Sequence, residues 1–116
     1  MKIEIERPQD SKIVVIPFGR VDVQTAPTLK EKLRELVDAD GLTIIVDLQE
    51  VDFIDSSGLS ALVSGLKTLR ERGGTLHISQ PQPQARTALR LTLLDRVFSI
   101  FPTLDQALDE GELQNT

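Results

Sequence analysis

The stretch Ile54-Asp55-Ser56-Ser57-Gly58-Leu59 lies where the pattern of a β-strand gives way to the pattern of an α-helix. Before it, residues 42–48 form a β-branched apolar run of strand length. After it, apolar residues recur at helical spacing on one face, namely Leu59, Leu62, Val63, Leu66 and Leu69. The junction therefore places two hydroxyl groups at a predicted helix N-terminus, where free N–H groups favour anions. A serine in that position is a helix cap or a phosphorylation site, and the pattern alone leaves both open.

Towards the N-terminus, the chain predicts a hairpin followed by a helix. Charged and apolar residues alternate over residues 2–6, and residues 12–18 include an apolar run. Asp10-Ser11 between these segments predicts the turn of a β-hairpin. Thr25 is the predicted N-cap of a first helix, and Asp40-Gly41 is predicted to end that helix.

Towards the C-terminus, helices and strands continue to alternate. A second helix is predicted from about Ser57 to Arg72, ended by Gly73-Gly74, and a strand over Leu76 to Ser79. The remaining predicted elements are a loop over residues 80–84, a helix over Ala85 to Leu94, a strand over Val97 to Phe101, a helix opening at Pro102-Thr103, and a frayed tail over residues 112–116.

This order of elements predicts the α/β fold class. We expect a mixed, mostly parallel sheet of four or five strands with about four helices packed on it. The run over residues 42–48 is apolar on both parities, so it should be a central strand covered on both faces. Residues 1–116 are predicted to form a single domain, with an ordered core of about residues 2–110.

Composition excludes several classes of function. The chain has 116 residues, a net charge of −5 and no cysteine, which argues against nucleic-acid binding, disulfides and thiolate metal sites. No apolar run approaches a membrane span, and the N-terminus lacks the apolar region of a signal peptide, so we expect a cytoplasmic protein without membrane contact. One histidine and the lack of a glycine-rich phosphate loop lead us to expect no metal and no cofactor.

The Asp-Ser-Ser-Gly junction has features beyond those of a helix cap. Gly58 is expected to leave the neighbouring hydroxyls approachable by another protein. Four carboxylates are expected to end on the same edge of the sheet, namely Asp22, Asp47, Asp52 and Asp55. A phosphate carries a charge of about −1.5 to −2 at pH 7, so at this junction it would gain from the helix dipole and be repelled by those carboxylates.

Four segments together resemble the bacterial anti-sigma factor antagonists, which are single STAS domains. They are Gly19-Arg20-Val21-Asp22, Thr25-Ala26, the block over residues 51–59 and Gly73-Gly74. The resemblance covers roughly residues 3–108 and implies a STAS fold. It also implies a protein without catalysis of its own, acting in signal transduction and transcription regulation by partner switching.

In that mechanism the unphosphorylated antagonist binds a serine kinase that doubles as an anti-sigma factor, and the sigma factor is released. The resemblance implies that this kinase phosphorylates Ser56, which abolishes binding, and that a metal-dependent serine phosphatase restores the protein. It implies a partner-binding surface made of Asp22, Asp55, Ser56, Ser57, Gly58 and Leu59. A weak homodimer is a further expectation. Two positions depart from the family: Arg20 replaces an acidic residue, and Leu93 replaces the glycine that usually ends the third helix.

Two other functions remain open from the sequence. A STAS domain can also be a non-switching interaction subunit of a transporter or a sensory scaffold, in which case Ser56 would be only a cap. A hydrolase would use Ser56 or Ser57 as the nucleophile and His77 as the base. The G-x-S-x-G pattern is missing, and a lone histidine on a strand is more often structural, so the hydrolase is the weaker alternative.

Overall fold

The computed structural model describes the backbone of residues 1–114 and the side chains of residues 1–110. The strands are β1 (Ile3–Gln9), β2 (Lys12–Pro17), β3 (Gly19–Val21), β4 (Thr43–Asp47), β5 (Val51–Ile54), β6 (Thr75–Ser79) and β7 (Ile100–Phe101). The helices are α1 (Ala26–Leu36), α2 (Ser56–Arg70), α3 (Pro83–Leu91) and α4 (Leu104–Gln114), and a 3-10 turn covers Leu94–Arg96.

Five of the strands form one sheet in the order β1-β2-β4-β6-β7. β1 pairs with β2 antiparallel and the other neighbours pair in parallel, so the predicted hairpin and the mixed, mostly parallel sheet are confirmed. β4 lies in the middle of the sheet, and Ile44, Ile45 and Val46 have no exposed surface. The predicted central strand is confirmed, because apolar residues on both parities need cover on both sides.

Helices cover both faces of this sheet. Alternate strand residues, such as Val46 and Ile78, pack into the main core together with the apolar faces of α1, α2 and α3. The residues between them point to the opposite face, where α4 packs and Ala107 is almost fully buried. His77 lies between Leu76 and Ile78, which both belong to the main core, so its side chain faces α4.

A second, two-stranded sheet was not predicted from the sequence. β3 and β5 pair in parallel, with Val21 opposite Ile54, and both side chains are buried. Strands of three and four residues are too short to show a period, which explains why the pattern missed them. The pairing places Asp22 and Asp55 side by side, because each follows its strand directly.

Several predicted boundaries were wrong. α1 ends at Leu36 with Val37 as its C-cap, several residues before Gly41, whose φ of +72° belongs to the turn into β4. α2 begins at Ser56 and ends at Arg70, within two residues of the prediction. β7 is limited to Ile100–Phe101 because a 3-10 turn occupies the chain just before it.

The third helix also differs from its prediction. α3 begins at Pro83, within the predicted loop, because proline suits the first turn of a helix. It ends at Leu91, and Leu93 then adopts a left-handed conformation with φ of +62°. Leucine therefore takes the backbone conformation that favours glycine, and the helix still ends there. At the C-terminus, residues 112–114 continue α4, and the rest of the predicted frayed tail lies outside the described residues.

Candidate functional site

The N-terminus of α2 is capped by Asp55 rather than by a serine. The Asp55 Oδ1 atom accepts hydrogen bonds from the backbone N–H of Ser57 at 2.9 Å and of Gly58 at 3.1 Å. Asp55 has extended backbone angles, as an N-cap residue requires. Because Asp55 accepts these two N–H groups at the start of the helix, neither serine hydroxyl is needed as a cap. The interpretation of Ser56 as only a cap is therefore wrong.

Ser56 is the first residue of α2, and its side chain is exposed. Its hydroxyl has no hydrogen-bond partner among the residues that the structure describes. The side chain borders an open cavity of about 330 Å³ between α2 and the turn after α3, together with Val63 and Leu94. An exposed hydroxyl without an internal partner can react or bind without breaking a contact of the fold.

Ser57 borders a different cavity, on the other side of α2. This cavity of about 400 Å³ lies between α1 and α2 and is lined by Val23 and Lys30 among others. Ser57 is half-buried, whereas Ser56 is exposed. Val23 is 68% exposed, which leaves an apolar side chain at the rim. The two adjacent serines therefore face two separate surfaces, of which only one can be central to a given partner contact.

Gly58 and Leu59 are buried beneath the serines. A Cβ atom on Gly58 would lie 2.6 Å from Ile54 Cγ1 and 2.7 Å from the carbonyl oxygen of Val21, so only glycine lets α2 pack this closely on β3 and β5. We expected Gly58 to leave the serine hydroxyls approachable. The structure shows instead that glycine is needed at this position for the packing of α2 on β3 and β5. The assignment of both residues to a partner-binding surface stays a prediction.

Asp22 shapes the loop beside this helix end. Its carboxylate accepts hydrogen bonds from the backbone N–H of Gln24 at 3.0 Å and of Thr25 at 3.3 Å, and Arg20 Nε lies 3.5 Å from it. Burial raises the pKa of the Asp22 carboxyl, but these donors outweigh burial and hold the pKa below its usual value. Arg20 also lies over the Phe53 ring, 4.2 Å from its centre. The unusual arginine therefore neutralises part of the charge beside Ser56.

Thr25 occupies the predicted N-cap position of α1, but its side chain does not cap the helix. Its hydroxyl donates to the carbonyl oxygen of Arg20 at 2.8 Å and accepts from the N–H of Asp22 at 3.0 Å. The threonine thus ties the loop of residues 20–25 together. This contact fixes the Asp22 carboxylate next to the start of α2.

The four carboxylates that were expected at one edge of the sheet lie in three places. Asp22 and Asp55 lie side by side next to Ser56. Asp47 ends β4 in the larger sheet, is 3% exposed and accepts hydrogen bonds from Gln49 N and Gln80 Nε2. Asp52 is an exposed residue within β5. The charge of Asp47 is thus used inside the fold, and two carboxylates remain at the exposed serine.

His77 lies on the other face of the larger sheet. Its Nε2 atom is 3.5 Å from a carboxylate oxygen of Glu110 on α4, and its Nδ1 atom is buried without a partner among the described residues. Burial lowers the pKa of His77, against the opposing effect of Glu110. The sheet separates this imidazole from α2, whose apolar face packs on the opposite side. The hydrolase alternative, with His77 as the base for Ser56 or Ser57, is therefore wrong.

Two further classes of site find no support. Within the part of the chain that the structure describes, no three side chains of His, Cys, Asp or Glu come together as metal ligands. None of the described helices has the length and the apolar character of a membrane span.

Comparisons with known proteins agree with this geometry. The sequence profile of the STAS domain matches residues 2–107. The chain belongs to the STAS domain family. It is 32% identical to the anti-sigma-B factor antagonist of Listeria monocytogenes over 101 residues, which are 87% of this chain and 78% of that protein. It is 28% identical to the anti-sigma-B factor antagonist of Bacillus subtilis, over 98% of this chain and 100% of that protein.

A solved structure supports the same assignment. The crystal structure of an anti-sigma factor antagonist from Mycobacterium paratuberculosis is similar to this STAS domain with a TM-score of 0.83 and 31% identity, covering 94% of this chain and 92% of that chain. The resemblance inferred from the sequence is thus confirmed. These relatives are named as anti-sigma factor antagonists, which is a regulatory role.

One part of the site was missed in the sequence. The Gln84 side chain accepts from Ile54 N at 2.8 Å and donates to Ile54 O at 2.9 Å, as a neighbouring strand would. Gln82 donates to the carbonyl oxygen of Gln49, and Gln80 donates to Asp47. Together they hold the segment that leads into Asp55. The alternating glutamines of residues 80–84 were the available signal, but their partners lie about thirty residues away.

Proposed function

We propose that this STAS domain, acting as a single domain in the cytoplasm, is an anti-sigma factor antagonist that works by partner switching. The unphosphorylated form binds a serine kinase that is also an anti-sigma factor, and the sigma factor is released. The observation that carries the proposal is the exposed Ser56 hydroxyl, which has no partner in the described structure because Asp55 caps the helix.

The chemistry requires one transfer step. The kinase moves the γ-phosphoryl group of ATP to the Ser56 oxygen, ADP leaves, and a base of the kinase takes the hydroxyl proton. Asp55 already holds the N–H groups of Ser57 and Gly58, so a phosphate on Ser56 would not capture these two donors. The added charge would therefore change the surface and leave the fold intact.

The phosphate is expected to act against the partner. It adds a charge of about −1.5 to −2 next to Asp22 and Asp55, where the partner must already accommodate two carboxylates. Burying such a dianion without a counter-charge costs several kcal/mol, and every 1.4 kcal/mol is a tenfold loss of affinity. A modest fraction of that cost is enough to exchange one partner for another.

The proposal includes a return step and a surface. A metal-dependent serine phosphatase hydrolyses the Ser56 phosphate and restores the binding form. The partner-binding surface consists of the loop at Asp22 and the start of α2. Ser56 lies at its centre, Asp55 and Ser57 lie at its edge, and Gly58 and Leu59 support it from below. We propose no nucleic-acid partner for it, and a weak homodimer of the chain is compatible with it.

The second candidate function is a non-switching subunit of a transporter or a sensory scaffold. The exposed apolar side chains beside α2, such as Val23 and Val63, support this function because they would also suit the interface with a constitutive partner. The two functions differ in one respect. A constitutive partner stays bound when Ser56 acquires a charge, whereas a switching partner leaves.

The experiment uses purified serine kinase/anti-sigma factors from the source organism, each mixed with the full chain and ATP. Intact mass is expected to rise by one phosphate with the cognate kinase, and the gain should vanish in Ser56→Ala. Ser57→Ala is the matched control, because that serine faces the other cavity and should leave the gain unchanged. Binding of the same kinase to Ser56→Asp is then measured by titration calorimetry. A mass gain that survives in Ser56→Ala, or unchanged binding by Ser56→Asp, would contradict the switch.

A further inference from the structure

We infer that the partner of Ser56 also places an acidic, amphipathic segment in a groove that runs along α2, away from the serine. The groove lies between the exposed face of α2 and residues 92–97, and we call it the α2 groove. The inference rests on the proposed function, because it concerns the same kinase, and it adds the chemistry of the segment that this kinase must carry.

One wall of the α2 groove is a continuous stripe on α2. Ser56, Ser60, Val63, Lys67 and Arg70 are all exposed and follow one another at spacings of four and three residues. Such spacing places them on one face of the helix. The stripe changes in character along its length: hydroxyls come first, then an apolar side chain, and two cations end it.

The other wall is formed by the turn that follows α3. The cavity at Ser56 is lined on this side by Thr92 and Leu94, and the next cavity, of about 370 Å³, by Val97. Val63 lines both cavities, so they adjoin. The groove is therefore continuous from Ser56 to Arg70, about 20 Å at about 1.5 Å per helical residue.

Exposed apolar side chains concentrate at this groove. Of the six large apolar residues exposed in the described part of the chain, Val63 at 38% and Val97 at 41% line the groove, and Leu93 at 57% belongs to the segment that forms its second wall. Single exposed apolar residues are ordinary, but a cluster beside a groove marks an interaction surface. Leu93 is held there with φ of +62°, and a strained residue at a surface is more often found at functional sites.

The far end of the groove carries an excess of positive charge. Lys67 and Arg70 line the second cavity, and Arg96 lies in the turn opposite. None of the three forms an ion pair within the region that the structure describes. Two acidic residues, Glu71 and Asp95, lie at this end, so the three cations still outnumber the carboxylates. Free cations in a chain of net charge −5 favour an acidic occupant, and a second copy of this acidic chain is disfavoured.

The two ends of the groove should act independently. Eleven positions along α2 separate Ser56 from Lys67, which is about 16 Å, whereas charges are screened over about 8 Å at physiological ionic strength. A phosphate on Ser56 therefore repels the partner at the near end without weakening the contact at the cations. The effects of Ser56→Asp and Lys67→Glu on affinity should multiply, because distant sites are additive in free energy.

The first experiment measures the affinity of the purified kinase for full-length variants by titration calorimetry. We expect Lys67→Glu to weaken binding about tenfold, which corresponds to about 1.4 kcal/mol, and to reduce the salt dependence of binding. Arg86→Glu is the matched control. Arg86 is exposed, lacks an ion pair within the described residues and lines a separate cavity with Phe101, so this variant should bind like the parent. Equal binding by Lys67→Glu and the parent would overturn the inference.

A second experiment tests the α2 groove without any kinase. It therefore distinguishes failure of this inference from failure of the proposed function. The probe is a helical peptide of about four turns, with leucines on one face and glutamates on the other, added to the isotope-labelled full chain. We expect NMR shifts at Val63, Lys67 and Val97 with this peptide and not with its lysine counterpart. Shifts with both peptides or with neither would overturn the inference. A dimer in sedimentation that Lys67→Glu dissociates would assign the groove to a second copy and overturn it as well.

Discussion

The start of α2 and the cluster beneath α4 use polar groups in opposite ways. At the start of α2, the Ser56 hydroxyl is exposed and Asp55 satisfies the helix end in its place. Beneath α4, His77 is 9% exposed and contributes to holding the helix on the sheet through Glu110. A polar side chain is available to bind a partner when a neighbouring side chain makes the hydrogen bonds that the fold needs at that place. A buried one affects stability instead, because its protonation is tied to folding.

The largest expected effect tests which side chain caps α2. Asp55→Ala removes the acceptor of two backbone N–H groups and should lower the free energy of unfolding by about 1–2 kcal/mol. Ser56→Ala should change it by less than about 0.5 kcal/mol, since its exposed hydroxyl has no internal partner in the described chain. Urea unfolding monitored by circular dichroism measures both values. Equal losses in the two variants would show that the serine shares the structural work.

The next effect concerns the pH dependence of stability. Burial lowers the pKa of His77 in the folded protein, and Lys12 lowers it further, while Glu110 raises it. The unfolded chain therefore binds a proton more readily, so the stabilisation is fully present above pH 6.5 and is lost as the pH falls from there towards the folded pKa. The slope contributed by one proton is at most about 1.4 kcal/mol per pH unit.

His77→Gln should remove this contribution. We expect the difference in unfolding free energy between the parent and this variant to shrink between pH 7 and pH 5, measured by urea unfolding at each pH. Ionisable groups far from residue 77 contribute equally in the two proteins and cancel in the difference. A difference that stays constant over this interval would mean that His77 is accessible to protons in the folded state, as an exposed side chain is.

The smallest expected effect lies at the turn after α3. A left-handed leucine costs about 1–2 kcal/mol, and glycine recovers part of this at an entropic cost of about 0.5–1 kcal/mol. Leu93→Gly should therefore raise the free energy of unfolding by about 0.5 kcal/mol, measured by thermal and urea unfolding. Leu91→Gly is the contrasting variant. Leu91 is in α3, where glycine is unfavourable, so this substitution should lower the free energy of unfolding. Destabilisation by Leu93→Gly would show that the exposed side chain packs in the folded chain.

The order of elements was predictable because it follows from local patterns. The central strand could be recognised from Ile44, Ile45 and Val46, and the hairpin from the turn at Asp10-Ser11. The start of α2 was predicted to within one residue, because the apolar period begins at Leu59. The Asp-Ser-Ser-Gly block also located the candidate site.

What the sequence did not reveal was how residues far apart in the chain divide their roles. The β3–β5 pair sets Asp22 beside Asp55, although the two are more than thirty residues apart. Gln84 completes the edge of Ile54, and its amide gives no local signal of that partner. The interpretation of Gly58 was wrong because Ile54 and Val21 leave no room for a side chain at this position. These two residues approach Gly58 only in the folded protein.

The sequence by itself determined the class of fold, the place of α2 and the presence of two serines at its start, because periodicity and capping preferences act over a few residues. Only the tertiary structure decided that Asp55 is the cap, that Ser56 is exposed on one groove and Ser57 borders another, and that the sheet separates His77 from both. The physical reason is that exposure and hydrogen bonding depend on which distant segments pack together. Such packing satisfies one polar group and leaves its neighbour open to solvent.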